Sequence, residues 1–260
     1  MSKLLKIEFM KIKSSLAFKV TLLVCLGLCL LSVAMYAFIS NSQDTADMAA
    51  MMGMKISGYS MFMVSMTNSS DCIMLATIVI CILIGSDFTA RTLQTEISAG
   101  FSRTKIVLSR FISTTIILLI FIIVYSGTLL FGTSIFCGFG AEISAGLIGE
   151  MLLALFMNWF ISVSMMSLYM LICFLFKSVG PSIGVTMPAM LIGTSILSVL
   201  AAIYEVAGKI YSFTPLGQMG VVGDTTLEAL DYVKFFGVGI GFAAVMLVIT
   251  VLTFRKSELK

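Results

Sequence analysis

The sequence predicts an all-α integral membrane protein, and three observations carry that prediction. Of the 260 residues 59% are apolar and 11% charged, the mean hydropathy is +1.11, and the apolar residues gather into long uninterrupted runs. A bilayer core of about 30 Å takes roughly 20 residues of helix to cross. Six runs qualify, near 17–39, 61–85, 111–136, 151–176, 181–203 and 235–254, within one domain of 1–260. Six spans put both termini on one side, and the excess of Lys and Arg that cytoplasmic segments retain selects the side. With the N-terminus inside, the cytosol receives 13 of the 16 cations and the outside keeps only Lys55, Lys209 and Lys234.

The first element is a basic amphipathic helix over 2–15. Leu5, Phe9, Ile12 and Leu16 recur at near-helical spacing between Lys3, Lys6, Lys11 and Lys13, a pattern that lies along an anionic inner leaflet or simply sets topology. No short charged region with a small-residue cleavage site precedes the first span, which is expected to stay as an anchor. The second span carries a polar cluster, Thr67, Asn68, Ser69, Ser70 and Asp71. From Cys72 to Gly85 is only about 21 Å of helix, so part of the cluster enters the membrane, where a carboxylate is costly. Asn68 and Asp71 are placed either on a pathway or its outer gate, or, for Asp71, at the outer interface as a helix start.

Between spans two and three lies a polar island, Ser86 to Arg110, that reads as a short cytosolic helix. Thr89, Leu93 and Ile97 share a helical spacing, with Arg91 and Glu96 exposed elsewhere; Gly100 is a natural stop and Ser102 a cap for the next helix. Span four offers Asn158, Trp159 and three serines, and span five Gly184, Pro188 and Gly193, residue types that allow close helix packing and a kink. The segment 204–234, with Pro215 in Phe213-Thr-Pro-Leu-Gly, is expected to dip irregularly into the outer interface, and Gly237 and Gly241 to make a close helix contact in the last span.

Several functions are disfavoured by composition. Histidine is absent, removing the commonest general base and metal ligand, so no catalytic residue is assigned. No GxxxxGK[ST] loop exists, since Gly208-Lys209 is followed by Ile210; any ATPase is another chain. Six cysteines lie mostly in apolar runs without CxxC spacing, which argues against a disulfide framework. Met48, Met51, Met52, Met54, Met61, Met63 and Met66 form an external cluster that reads as adaptable apolar surface or, less simply, as soft ligands for copper; no metal site is assigned. Nucleic-acid binding has no support at a net charge of +3.

A basic N-terminal helix, six spans, a cytosolic island after span two and a long external segment after span five resemble the type 2 ABC-transporter permeases, in layout over the whole chain. In the island the matching residues are Phe88, Thr92, Leu93, Ser98, Gly100, Ser102, Arg103 and Arg110, while Arg91 stands where glycine often precedes the Thr and the acid is displaced to Asp87 or Glu96. The resemblance implies a coupling helix over 86–101 that docks on an ATP-binding subunit through Asp87, Phe88, Arg91, Thr92, Leu93, Glu96, Ile97 and Arg103. It further implies a second permease half, identical or not, in a bacterial cytoplasmic membrane, no cofactor in this chain, and ATP and Mg on the partner. Asn68, Asp71, Asn158, Pro188 and Pro215 then become pathway or gate candidates, and the compact layout is similar to the peptide-immunity and peptide-export branches, whose cargo is an amphipathic or membrane-active peptide. The competing class is an ATP-independent, ion-coupled transporter or pore that uses Asp71.

Overall fold

A computed structural model describes residues 2–41, 56–224 and 227–256, and among them there is helix and no strand. The helices are α1 Ser2–Ser14, α2 Leu16–Asn41, α3 Gly58–Thr67, α4 Ser70–Thr89, α5 Thr92–Ser98, α6 Arg103–Cys137, α7 Ala145–Phe176, α8 Val179–Ile203, α9 Glu205–Ser212, α10 Pro215–Met219 and α11 Ala229–Lys256. Six of them, α2, α4, α6, α7, α8 and α11, are long and apolar enough to cross a membrane.

The six are not equivalent. In their most apolar windows α4, α6 and α7 are 67%, 56% and 61% buried within the chain, whereas α2, α8 and α11 are 17%, 11% and 17% buried. The inner three pack against one another, α2 lies on α6, α11 on α7, and α8 on α4 and α7. Apolar residues face outward all along the outer three, among them Leu23, Leu191, Ile192 and Val248. In lipid such faces need no protein partner, because acyl chains are as apolar as leucine.

Local chemistry sets the boundaries. The predicted second span over 61–85 is two helices. Ser57 opens α3 with a capping box, its hydroxyl accepting from the Ser60 amide while the Ser60 hydroxyl accepts from the Ser57 amide. The chain then breaks at Asn68 and Ser69 before α4 begins. A broken helix leaves backbone groups to be satisfied by protein. Asn158 of α7, fully buried, does so: its side-chain amide donates to the Met66 carbonyl and, at 2.9 Å, to the Ser69 hydroxyl.

At the other end of α4, Arg91 adopts left-handed φ of 55° and cuts α4 from α5, so the island helix is only Thr92–Ser98. Gly100, at φ 85°, ends it as expected. Ser102 occupies the N-cap position of α6 without a side-chain cap bond. On α11 the close approach is at Gly239, where an added Cβ would lie 2.4 Å from the Phe160 ring, while Gly237 and Gly241 face open space. The Ser164 hydroxyl donates to the Gly239 carbonyl at 2.9 Å, so α7 and α11 touch through backbone here.

Candidate functional site

The most concentrated chemistry is an ion cluster where α1, α4, α5 and α6 meet. Helical register creates it. On α1 the inward stripe is Leu4, Glu8 and Ile12, one turn apart, while Phe9 and Leu16 point outward; the apolar stripe expected from Leu5, Phe9, Ile12 and Leu16 is therefore rotated. Glu8 enters the core within this stripe and meets Arg110 of α6. The Arg110 guanidinium also forms an ion pair with Asp87 of α4, its Nε 3.0 Å from the carboxylate, and donates through Nη2 to Glu96 of α5 at 2.8 Å. Lys11 of α1 pairs with Asp87 and donates to the Leu83 carbonyl at 3.0 Å.

Asp87 and Arg110 are 2% and 3% exposed. The guanidinium pairs with three carboxylates, which offsets part of its desolvation, but only its Nη2 contact with Glu96 is a hydrogen bond; Arg110 Nε and Nη1, Asp87 Oδ2 and Glu96 Oε2 are buried without a hydrogen-bond partner among the described residues. The Thr92 hydroxyl donates to the Asp87 carbonyl at 3.0 Å and to its carboxylate at 3.1 Å, tying the first residue of α5 back to α4 across the Arg91 turn. Three carboxylates thus share two cations. The Glu96 carboxyl, 12% exposed, is held up to about 7, first by burial and then by the charge of Asp87, with Lys11 opposing.

The eight residues expected at a coupling surface separate into two groups. Asp87 and Glu96 turn into the ion cluster, and Leu93 is 1% exposed in the core, with Ile97 packed beside it. Phe88 stacks edge-on against Phe174 and Phe254, with centroids 5.5 and 6.3 Å away. Arg103 donates through Nη1 to the Phe254 and Arg255 carbonyls at 2.6 and 2.8 Å, closing the C-terminal end of α11. Only Arg91 and Thr92 are exposed, joined on the surface by Thr89, Ala90, Thr95, Ser98 and Ala99. Thr89 closes α4 and faces out while Leu93 faces in, so the predicted common face of Thr89, Leu93 and Ile97 is split by the Arg91 turn. Sequence reading missed Glu8 and the inward role of Arg110; the one acid in the basic N-terminal segment, four residues from both Leu4 and Ile12, was the available signal.

The five pathway candidates do not converge. Asn68 and its neighbours Thr67 and Ser70 line a cleft of about 270 Å³ with Thr194, Ser198 and Tyr211. Asp71, in the first turn of α4, lines a different cleft against α2. Asn158 is the brace of the helix break described above. Pro188 lies inside α8 on its exposed side, between the buried Thr186 and Met190. Pro215 is buried at the first position of α10, beneath the Thr214 side chain that caps it. Of the methionine cluster, Met61 and Met66 are core residues and Met63 lines a small cleft with Glu150 and Tyr232; Met48, Met51, Met52 and Met54 lie outside the described residues. All six cysteines are free, and the Cys81 and Cys173 sulfurs touch at 3.3 Å across α4 and α7.

The fold and site define a multi-pass, all-helical membrane protein with a buried ion cluster beneath one short connecting helix. No family model and no curated protein matches the sequence.

Proposed function

We propose that this chain is the membrane-spanning permease subunit of an ATP-driven exporter, with α5 and the Arg91 turn as the surface that an ATP-binding subunit grips. The observation that carries the reading is mechanical. A seven-residue helix is a poor lever unless it is fixed to what it moves, and here the ion cluster fixes α5 to α1, α4 and α6 together. A push on the exposed ridge of Arg91, Thr95 and Ser98 is therefore delivered as rigid-body motion to two candidate spans and the N-terminal helix. ATP and Mg belong to the partner, the ion-cluster end faces the cytosol of a bacterial cell, and a second permease half completes the pathway. The cargo is amphipathic or lipophilic, a membrane-active peptide being the best fit, because the six spans carry few charges for a hydrated solute to follow.

The test is co-purification from native membrane in mild detergent. Leu93→Ala and Glu96→Ala would unseat the island from within, so the informative changes are on its surface, Arg91→Glu with Thr95→Arg. The expected result is an ATP-hydrolysing subunit that accompanies the parent chain and is lost with the double variant, while the unfolding temperature stays the same. An intact complex with the double variant, or no nucleotide-binding subunit in several detergents, sinks the reading.

A further inference from the structure

The cleft between α2, α4 and α6 encloses about 340 Å³, at the low end of small-molecule sites. Its walls are Leu28, Leu31 and Met35 of α2 with Met74 and Leu75 of α4, and its polar groups include the Asp71 carboxylate and Tyr125 of α6. Asp71 makes no ion pair among the described residues, in contrast with Asp87, Glu8 and Glu96.

Depth makes this placement costly. Tyr125 stands fifteen residues beyond Arg110 on α6, about 22 Å of rise, and Asp71 stands sixteen residues before Asp87 on α4, about 24 Å. With the ion cluster placed at one edge of a core of about 30 Å, Asp71, exposed in the first turn of α4, lies about 6 Å inside the far edge of the hydrocarbon. An acid there requires a counter-ion or a neutralising proton. The apolar walls fix what kind of counter-ion fits, because a hydrated ion would have to shed its water against Leu28, Leu31 and Met35, whereas a cation carried on an alkyl chain reaches the cleft through the lipid with its chain still in an apolar medium.

We infer that this cleft is a binding site for an amphiphilic organic monocation, its ammonium head between Asp71 and the Tyr125 ring and its chain along α2. Attraction to a carboxylate and to an aromatic face is the usual recognition of such heads. The site stands apart from the Arg91 surface and does not rest on the export reading.

The test is photolabelling in nanodiscs of zwitterionic lipid, with a dodecyl trimethylammonium bearing a chain diazirine and the matched dodecyl alcohol. Expected are adducts within 28–35 and 71–75 for the ammonium probe, about ten-fold weaker in Asp71→Asn, the loss of one partly desolvated ion pair. Leu31→Trp, which fills the cleft and leaves the carboxylate, should weaken labelling as well, and it carries the test if Asp71→Asn fails to fold. Equal labelling by the alcohol, or undiminished labelling in both variants, overturns the inference. So does displacement by sodium but not lithium at equal ionic strength, which would assign the carboxylate to an inorganic ion.

Discussion

Arg110 is the residue on which the most depends. Removing it by Arg110→Met leaves Glu8, Asp87 and Glu96 facing one another with only Lys11 between them, and breaking a buried charge network of this kind costs about 3–5 kcal/mol. The expected result is a large fall in unfolding temperature in detergent, partly restored by adding Glu8→Gln. Glu96 gives the pH dependence. Its carboxyl ionises near 4.5 when free and is held up to about 7 in the fold, so the stability it contributes is full below the free value and is lost as pH rises through about 7. Unfolding temperatures measured from acid to mildly alkaline pH should decline across that window, and Glu96→Gln should flatten the decline. The parts of this cluster that the sequence made legible were Asp87 and Glu96 as acids of interest. Their inward orientation was not legible, because it depends on the left-handed turn at Arg91 and on the three-residue stripe of α1, Leu4, Glu8 and Ile12, whose rotation only tertiary contact decides.

At the scale of helices, length and apolarity located all six spans, since those properties follow directly from bilayer thickness. The break in the second span was hidden by the same criterion. Thr67 to Asp71 read as a question of depth, while the fact that a distant Asn158 satisfies the broken backbone has no local signature. Asn158→Ala strands the Met66 carbonyl and the Ser69 hydroxyl, and about 1–3 kcal/mol of lost stability is expected in chemical or thermal unfolding. The glycine spacing in α11 pointed to the right helix and the wrong pair. Gly239→Ala forces the Phe160 ring aside and should lower the unfolding temperature, whereas Gly237→Ala and Gly241→Ala should leave it unchanged. Gly217 is stricter still: a Cβ there would stand 2.2 Å from the Tyr211 carbonyl oxygen, a backbone atom that cannot swing away, so Gly217→Ala should disrupt the α9 to α10 corner.

For the molecule as a whole, three helices form a protein-lined interior and three form an outer layer whose apolar residues are largely uncovered by the chain itself. Thiol reactivity reads that arrangement directly. Cys25, Cys29, Cys72, Cys81 and Cys173 are buried between helices, and Cys137 is partly exposed at the end of α6. A bulky maleimide should modify Cys137 rapidly in the folded protein and the other five only after denaturation. The contact between Arg103 and the last turn of α11 has a consequence for biosynthesis. All the charges of the ion cluster have been made once Arg110 is synthesised, so the first half of the chain can assemble while the rest is still being translated. The carbonyls of Phe254 and Arg255 that Arg103 clasps arrive some 150 residues later. Docking of α11 on Arg103 therefore follows formation of the ion cluster, and a nascent chain stalled before residue 235 would hold that cluster while Arg103 waited, still hydrated, for the carbonyls it clasps.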